Sequence, residues 1–551
     1  MVSGSAIATL VVFILSITFV IVPVSIPLRP FAPQIRIPIN LTTAPIVAIA
    51  ALWAAQCIDP GVIVRGIVGT EGIKPYNILI LFFSLAYMTI TLDITGLLQA
   101  AAFWVSNKGG SNGYKLYFYF YVMLTLISTV LGNDPVILSG TAFLVYYTKV
   151  VEVDPLSWLI AEFAAANTAS MILFVGNPTN VVLCEGFQIN NVAYSAYTIF
   201  PFIACNIVCL FALAFQFRDP KYIPKKLNNT STLDPRSVLL DPVSAWVGSI
   251  LLGSCLAVIL VVSFFHVDVW KISLPFAVAK FIYDLSWDHY RYKNNMIPTE
   301  PSPPDEKPSP PDEKHEDHRT ASPGDVAERE LERSMTHNTL SHPPPLHPPP
   351  PSPMLLRTQT SVTLSKSVIC RKSDRLSEFF ESLECRFPTF FTALPRLPFA
   401  LVPFAFSQFI LIEGLAHQGW IDIFAVWLVR ITRRQVYPTI WVVGTLGVLM
   451  CNIAGTNIGA TILLTKVLRA APEFPASSSR AGAIALAVAS NIGAVSFTFS
   501  ASLAGLLWRG ILKQKGITVK QRTFARWNCL PVAVMTIAGL AVVCIEMAIL
   551  Y

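Results

Sequence analysis

Long apolar runs separated by short polar stretches dominate this chain. Ile7–Val24, Tyr194–Phe217, Val243–Phe265 and Pro531–Leu550 are almost free of charge. Each holds about 18 residues or more, enough to cross a hydrocarbon core of about 30 Å as a helix. Further apolar segments lie at Leu41–Ala55, Tyr76–Trp104, Trp270–Tyr283 and Phe399–Ala416. Ile7–Val24 has no basic flank before it and no clear small-residue cleavage site, so it reads as a retained span rather than a signal peptide. The expected class is an all-α, multi-pass integral membrane protein.

Four apolar runs are interrupted by polar residues, and the interruptions fall in the same order twice. In the first pass, Tyr114–Leu131 meets Gly132-Asn133-Asp134-Pro135, and a second apolar arm, Val136–Tyr147, follows at once. Two arms around a polar tip predict a re-entrant hairpin. Leu156–Val175 then runs into Gly176-Asn177-Pro178-Thr179-Asn180, which predicts a broken helix. In the second pass, the hairpin is Thr439–Leu468 with its tip at Cys451–Asn457. The broken helix is Ala481–Trp508, interrupted around Ser490-Asn491-Ile492-Gly493. Five crossings and one hairpin per half would turn the second half over relative to the first, the inverted-repeat plan of secondary transporters.

Between about Asn294 and Arg371 the pattern stops. Pro301–Lys307 repeats identically as Pro308–Lys314, and a proline-rich run follows at Pro343–Pro353. Such composition cannot bury a core and predicts a disordered loop. The expected layout is therefore 1–240 as the first repeat, 241–290 as the start of the second, 291–390 as the loop, and 391–551 as the remainder.

Composition agrees with the pattern. Of 551 residues, 53% are hydrophobic and 13% charged, against roughly a quarter charged in soluble proteins. The net charge of +7 sits in loops, so it sets topology and does not imply nucleic acid as a partner. Arg218, Lys221, Lys225, Lys226, Arg509, Lys513 and Lys515 lie on the richer face, with the long loop. This places the loop in the cytosol and both termini opposite. Four Ser-Pro pairs and the proline run make a kinase or SH3-type protein its expected partner. The substrate, the bilayer and a second copy of the chain complete the expected partners. No C-x-x-C, no metal-like His spacing and no P-loop occur, so no cofactor or metal is expected.

Irregular backbone at membrane depth survives only where protein or a wet cavity satisfies it. Four interruptions dense in Asn, Gly, Ser and Thr therefore point to a solute site, with helix gluing as the plain alternative. The candidate substrate-binding residues are Asn133, Asp134, Asn167, Thr168, Gly176, Asn177, Asn180, Asn452, Gly455, Thr456, Asn457, Ser490, Asn491, Gly493 and Ser496. The four interruptions are expected to converge on one polar cavity lined by Asn133, Asp134, Asn177, Asn180, Asn452, Thr456, Asn457, Asn491 and Ser496. Asp134 is the only acid at any interruption, and an intramembrane carboxylate is functional by default. It is the expected proton-coupling group; the alternative is a cap on the second hairpin arm. Asp93 and Glu413 lie in corresponding spans, near an interface. Cys451 adjoins a tip and reads as a small core residue.

These segments resemble the ion transporter superfamily, and within it the arsenite permease group. Gly132-Asn133-Asp134 is similar to that group's Asn-Asp hairpin tip. Asn167-Thr168-Ala169-Ser170 followed by Gly176–Asn180 resembles its first broken helix. Ser490-Asn491-Ile492-Gly493 and then Ser500–Val519 form the closest match. The sequence departs from the group at Asn167, where Asp is common, and at Ala494–Ser500, which lacks the usual Thr-Pro-Ile-Gly. The resemblance implies a scaffold carrying a mobile domain of both hairpins and both broken helices. It implies secondary transport of a small anion or an arsenite-like metalloid acid, with citrate or a dicarboxylate as the alternative. A different class remains beside these: a membrane sensor or scaffold, not an enzyme, signalling through the loop.

Overall fold

The computed structural model describes residues 3–28, 32–227, 234–265, 267–296 and 374–550. Contacts divide the chain into one unit of residues 1–288 with 373–551, and another of 289–372. The disorder expected across the long loop falls on residues 297–373, outside the described set. At its margins helices are present where the loop was placed: one continues to Lys293, and others span Asp374–Arg386 and Pro388–Ala393.

The chain opens with α1 (Gly4–Ile21), capped by Ser3, whose hydroxyl accepts the Ala6 N–H. A short antiparallel ribbon follows, β1 (Val24–Leu28) and β2 (Ala32–Ile39), with Val24 opposite Ile39 and an irregularity at Pro27/Leu28. Then come α2 (Thr43–Ala54), α3 (Pro60–Val68), α4 (Pro75–Ile94) and α5 (Leu97–Gly109). The first hairpin is α6 (Gly113–Leu131) and α7 (Asn133–Val150). The first broken helix is α8 (Pro155–Ala169) and α9 (Pro178–Phe187), with a 3-10 turn at Phe174–Gly176 between them. A long helix, α10 (Asn191–Gln216), follows.

Next are α11 (Pro242–Val262), α12 (Trp270–Lys293), α13 (Asp374–Arg386) and α14 (Pro388–Ala393). The order of α4 to α10 then recurs. It runs α15 (Leu401–His417), α16 (Trp420–Thr432), the hairpin α17 (Val436–Ile453) and α18 (Asn457–Arg469), the broken helix α19 (Ala476–Val495) and α20 (Leu503–Gln514), and the long α21 (Gln521–Leu550). Even the eleventh residue of each long helix is a proline, Pro201 and Pro531.

Among the described residues, eight helical segments are long and apolar enough to cross a membrane. They are Gly4–Ile21, Pro75–Ile94, Gly113–Leu131, Asn191–Gln216, Pro242–Val262, Pro388–His417, Val436–Ile453 and Gln521–Leu550. The protein is thus a multi-pass integral membrane protein, α-helical as expected apart from the short β1–β2 ribbon. Two details differ from the apolar pattern. The run Tyr76–Trp104 is not one span: Gly96, at φ +87, turns the chain between α4 and α5. Gly419, at φ +78, does the same between α15 and α16. Only glycine adopts such angles without strain.

The most buried helices are the first halves of the broken pair. In α8, all residues from Ser157 to Ala169 are buried, as are all from Ala481 to Val495 in α19. Small side chains make this possible. A Cβ at Gly447 of α17 would stand 2.8 Å from Ala489 Cβ on α19. The long helices α10 and α21 run antiparallel against each other. Phe217 stacks on Trp527 with centroids 4.5 Å apart, and Cys205 Sγ donates to the Met535 carbonyl.

Candidate functional site

Each hairpin tip is built on a left-handed glycine. Gly132 (φ +83) precedes α7, and Gly455 (φ +81) lies just before Thr456, the cap of α18. The register this sets makes Asn133 correspond to Thr456, and Asp134 to Asn457. Thr456 Oγ1 accepts the Gly459 N–H. The broken helices restart alike. Asn177 and Ser502 are both extended, and their side chains accept the N–H of Thr179 and Gly505. Four helices, α7, α9, α18 and α20, therefore begin at the interruptions. Each brings unpaired N–H groups and a positive dipole end.

The two broken helices are joined by their asparagines. Asn491 Nδ2 donates to Asn180 Oδ1 over 2.8 Å, and Asn491 Oδ1 accepts from Ser170 Oγ at 2.9 Å. Asn177 Nδ2 reaches the same oxygen at 3.5 Å. Asn180 Nδ2 donates to the Ser170 and Leu173 carbonyls, which the interruption frees. Ser490 Oγ donates to Thr179 Oγ1 at 3.4 Å. Asn180, Ser490 and Asn491 are fully buried. A Cβ on Gly176 would come within 2.5 Å of the Ser170 carbonyl, so the turn needs glycine for space.

Each hairpin tip is tied to the broken helix of its own half. Asn133 Nδ2 donates to Asn167 Oδ1 at 3.2 Å. Asn452 Oδ1 accepts the Phe497 N–H at 2.8 Å and the Thr498 N–H at 3.1 Å. Between the halves the pairing is crossed: α7 packs on α20, and α18 on α9.

The candidate residues thus do not all line one polar cavity. Many are packed against each other as hydrogen-bonded clusters. Thr168 Oγ1 donates back to the Ala164 carbonyl, and Gly493 abuts Cys451, whose Sγ would lie 2.6 Å from a Cβ there. The second interruption also lies further on than expected. Ser490–Gly493 are helical, and α19 ends at Val495; Ser496 takes φ +47 and ψ 164, a strained conformation for a residue with a side chain. The cause is local: Ser490, Asn491 and Gly493 fit inside a helix whose small residues meet α17, and the backbone breaks where Asn452 takes up the freed N–H groups.

Two candidates stand apart. Asp134, half-buried in the first turn of α7, makes no side-chain cap and has no hydrogen-bond or ion-pair partner among the described residues. Asn457, buried, likewise makes no side-chain hydrogen bond. These two occupy equivalent places at the starts of the two return arms.

The sequence did not reveal how the return arms are anchored. Glu413 on α15 meets Lys466 on α18 at 2.9 Å, with Arg65 at 3.3 Å and Thr70 at 3.1 Å. Asp93 on α4 accepts from Ser139 of α7 and pairs with Arg396 at 3.4 Å. In both halves, an acid on the helix before the left-handed glycine holds the return arm of the hairpin. A further polar stripe runs along α12. Lys280 pairs with Asp284, which accepts from Tyr87 Oη at 3.0 Å, while Asp288 accepts from the Thr389 N–H and hydroxyl. The signal was available, since residues 280, 284 and 288 recur at a helical spacing. Among the described residues, no group of His, Cys, Asp or Glu could hold a metal ion.

The family model for citrate transporters matches residues 5–291, just over half of the chain. The chain belongs to the citrate transporter family. Its relatives include the arsenical pump membrane protein of Escherichia coli strain K12, 24% identical over 222 residues, covering 40% of this chain and 50% of that protein. The Yersinia enterocolitica arsenical pump membrane protein is 26% identical over the same shares. A second Escherichia coli arsenical pump membrane protein is 25% identical over 196 residues, 35% of this chain and 44% of the relative. The chain thus matches about half the length of these proteins. Among solved structures, that of the Alcanivorax borkumensis YdaH transporter aligns over 99% of this chain and 98% of its own, at 12% identity and a TM-score of 0.46. Membership of this family agrees with the resemblance to the ion transporter superfamily and with a multi-pass membrane protein.

Proposed function

We propose that the protein is a secondary transporter of a small hydroxylated solute, an arsenite-like metalloid acid or small anion, coupled to protons. The observation that carries this is Asp134. It is an acid at a hairpin tip that neither caps its helix nor pairs with any described residue. Polar groups withdrawn from water without partners are costly, so an unpaired carboxylate and the unpaired Asn457 amide at equivalent tips suit a site that binds something. The solute would lie between these tips, with Asn133, Asn177, Thr456 and Ser496 as its surroundings.

The chemistry of the interruptions favours a neutral or singly charged hydroxylated species. Residues 132–135, 170–177, 451–457 and 496–502 contain no Lys or Arg. Carboxylates are ordinarily met by such cations, and helix N-termini contribute only partial positive charge. A hydroxylated neutral acid needs what is there: amide and hydroxyl groups that both donate and accept. The arsenical pump relatives support the same substrate class. Citrate is the second reading, favoured by the family match.

The architecture supports an alternating mechanism. Two inverted repeats would place equivalent helices antiparallel at their shared axis, and α10 and α21 run antiparallel there. The crossed packing of α7 on α20 and α18 on α9 is what such an axis would produce. The mobile domain would hold both hairpins and both broken helices, and the acid anchors at Asp93 and Glu413 would tie it to the outer helices.

The test is purified protein in liposomes, supplied with arsenite, citrate or succinate, with and without a pH gradient. Accumulation of arsenite that depends on the gradient supports the reading. Accumulation of citrate alone moves the assignment to the second, and a chain that moves no solute but loses its cellular role when the loop is deleted is a sensor or scaffold.

A further inference from the structure

A cavity of about 590 Å³ lies between α1, α16 and the second hairpin. Its walls are Leu10, Phe13 and Ile17 of α1, Trp427 of α16, and Leu446 and Leu463 of the hairpin, and it ends at the tip, Asn452 to Ala454. No residue of the Asp134 tip is among its walls.

Water is a poor occupant. The cavity has room for about twenty waters at their liquid volume of roughly 30 Å³ each, and a buried water needs two to four polar partners. Besides the indole of Trp427, the walls offer two polar side chains, and both are engaged. Thr18 Oγ1 donates to the Ile14 carbonyl at 2.9 Å. Asn452 Oδ1 is taken by the Phe497 and Thr498 N–H groups, and its Nδ2 donates to the Val448 carbonyl. Much smaller apolar cavities stay dry and take apolar guests.

The bilayer supplies the guest. At the cavity edge, Ile14 is 53% exposed, Trp427 45% and Ile453 61%, and α1 and α17 are among the membrane-length helices. In a bilayer the exposed apolar faces of these helices would meet hydrocarbon, so the cavity opens toward the lipid phase at Ile14, Trp427 and Ile453. We propose that it is a lipid site, taking one acyl chain of a bilayer phospholipid whose end rests on residues 452–454.

The position gives the lipid a role. A Cβ on Gly455 would meet Val20 Cγ1 at 3.2 Å and Ile17 Cγ2 at 3.4 Å, so α1 already touches the hairpin beside the tip. Asn452 holds the second interruption through residues 497 and 498. An acyl chain packed between α1, α16 and the tip would support that arrangement, and its loss would loosen the hairpin. This inference needs the membrane fold but not the identity of the solute.

The experiment uses the full chain, delipidated in detergent and then titrated with phosphatidylcholine carrying brominated tails. Wild type is compared with Trp427→Phe, to isolate the Trp427 signal, and with the filled variants, Leu446→Trp and Leu463→Trp on the Trp427→Phe background and on wild type, whose rings obstruct the cavity beside the tip. The expected result has three parts: saturable quenching of Trp427, a phospholipid retained through delipidation and seen by native mass spectrometry, and loss of both in the filled variants. Circular dichroism and melting temperature close to wild type would show that these variants are folded. Lipid retained equally by folded, filled variants would overturn the proposal. So would a wild-type chain that retains none and instead crosslinks to a second copy through a cysteine placed at Ile14.

Discussion

Asn491 and Asn180, separated by more than 300 residues in sequence, share a 2.8 Å hydrogen bond between two fully buried side chains. This bond joins the two interrupted helices. It leaves Asn491 Oδ1 to accept from Ser170 and Asn177, so one side chain organises three polar groups of the other half.

Asn491→Ala should therefore strand several buried groups at once. Each unsatisfied donor or acceptor costs about 1–3 kcal/mol. We expect a clear fall in melting temperature in detergent, larger than for an alanine substitution at Asn190, which caps a helix near the surface. The double variant with Asn180→Ala should be less destabilised than the sum of the two singles, because both remove the same bond.

The Lys466–Glu413 pair is nearly closed to solvent, with side-chain exposures of 7% and 10%. Without Lys466, Glu413 keeps only the half-exposed Arg65 and the Thr70 hydroxyl, so the loss should approach the low end of the roughly 3–5 kcal/mol that breaking a buried pair costs. Lys466→Ala should lower stability strongly, and Glu413→Gln together with Lys466→Met should recover most of it. In transport, the double variant should move between states more easily, since the return arm α18 loses its tie to α15. Single-turnover exchange that stays slow in the folded double variant would show that this contact does not hold the arm.

At the loop before α12, Asp268 meets Lys271 at 2.9 Å and Lys74 at 3.1 Å. The hydrogen bond from Lys271, then that from Lys74, holds the Asp268 carboxyl below its ordinary value of 3.8. A depressed acid stabilises the fold above its unfolded value, and the contribution is lost as pH falls through the folded value. Asp268→Asn should thus melt earlier than wild type at neutral pH. The gap should close as pH falls below about 3.8. Melting curves from pH 7 to pH 3 check this.

Much of the fold was legible because lipid demands it. Apolar runs long enough to span, and polar glycine-containing interruptions that cannot be tolerated against lipid, are visible in one dimension. The hairpins at Gly132 and Gly455 were found this way. What was not legible depends on partners distant in sequence. Gly96 looks like any small residue in an apolar run until its positive φ is seen. Asn491 and Gly493 looked like a break, yet they sit within α19, because Asn180 and Cys451 lie opposite them. Asn180 and Asn491, both expected in one polar cavity, are bonded to each other. Asparagines signal an unwound region, and sequence spacing does not say whether they face a solute or each other. Lys280 and Asp284 stand at a helical spacing, but their link to Tyr87 depends on a helix distant in sequence.

Asp134 is the one acid at an interruption, and it has no hydrogen-bond or ion-pair partner among the described residues. Asp134→Asn preserves size and removes the titratable group, so it should leave the melting temperature close to wild type. The deciding measurement is solute uptake into liposomes under an imposed pH gradient, mutant against wild type. We predict that the mutant still exchanges solute down its gradient but no longer concentrates it when pH alone supplies the drive. A folded mutant that concentrates solute as well as wild type would contradict the assignment of proton coupling to Asp134.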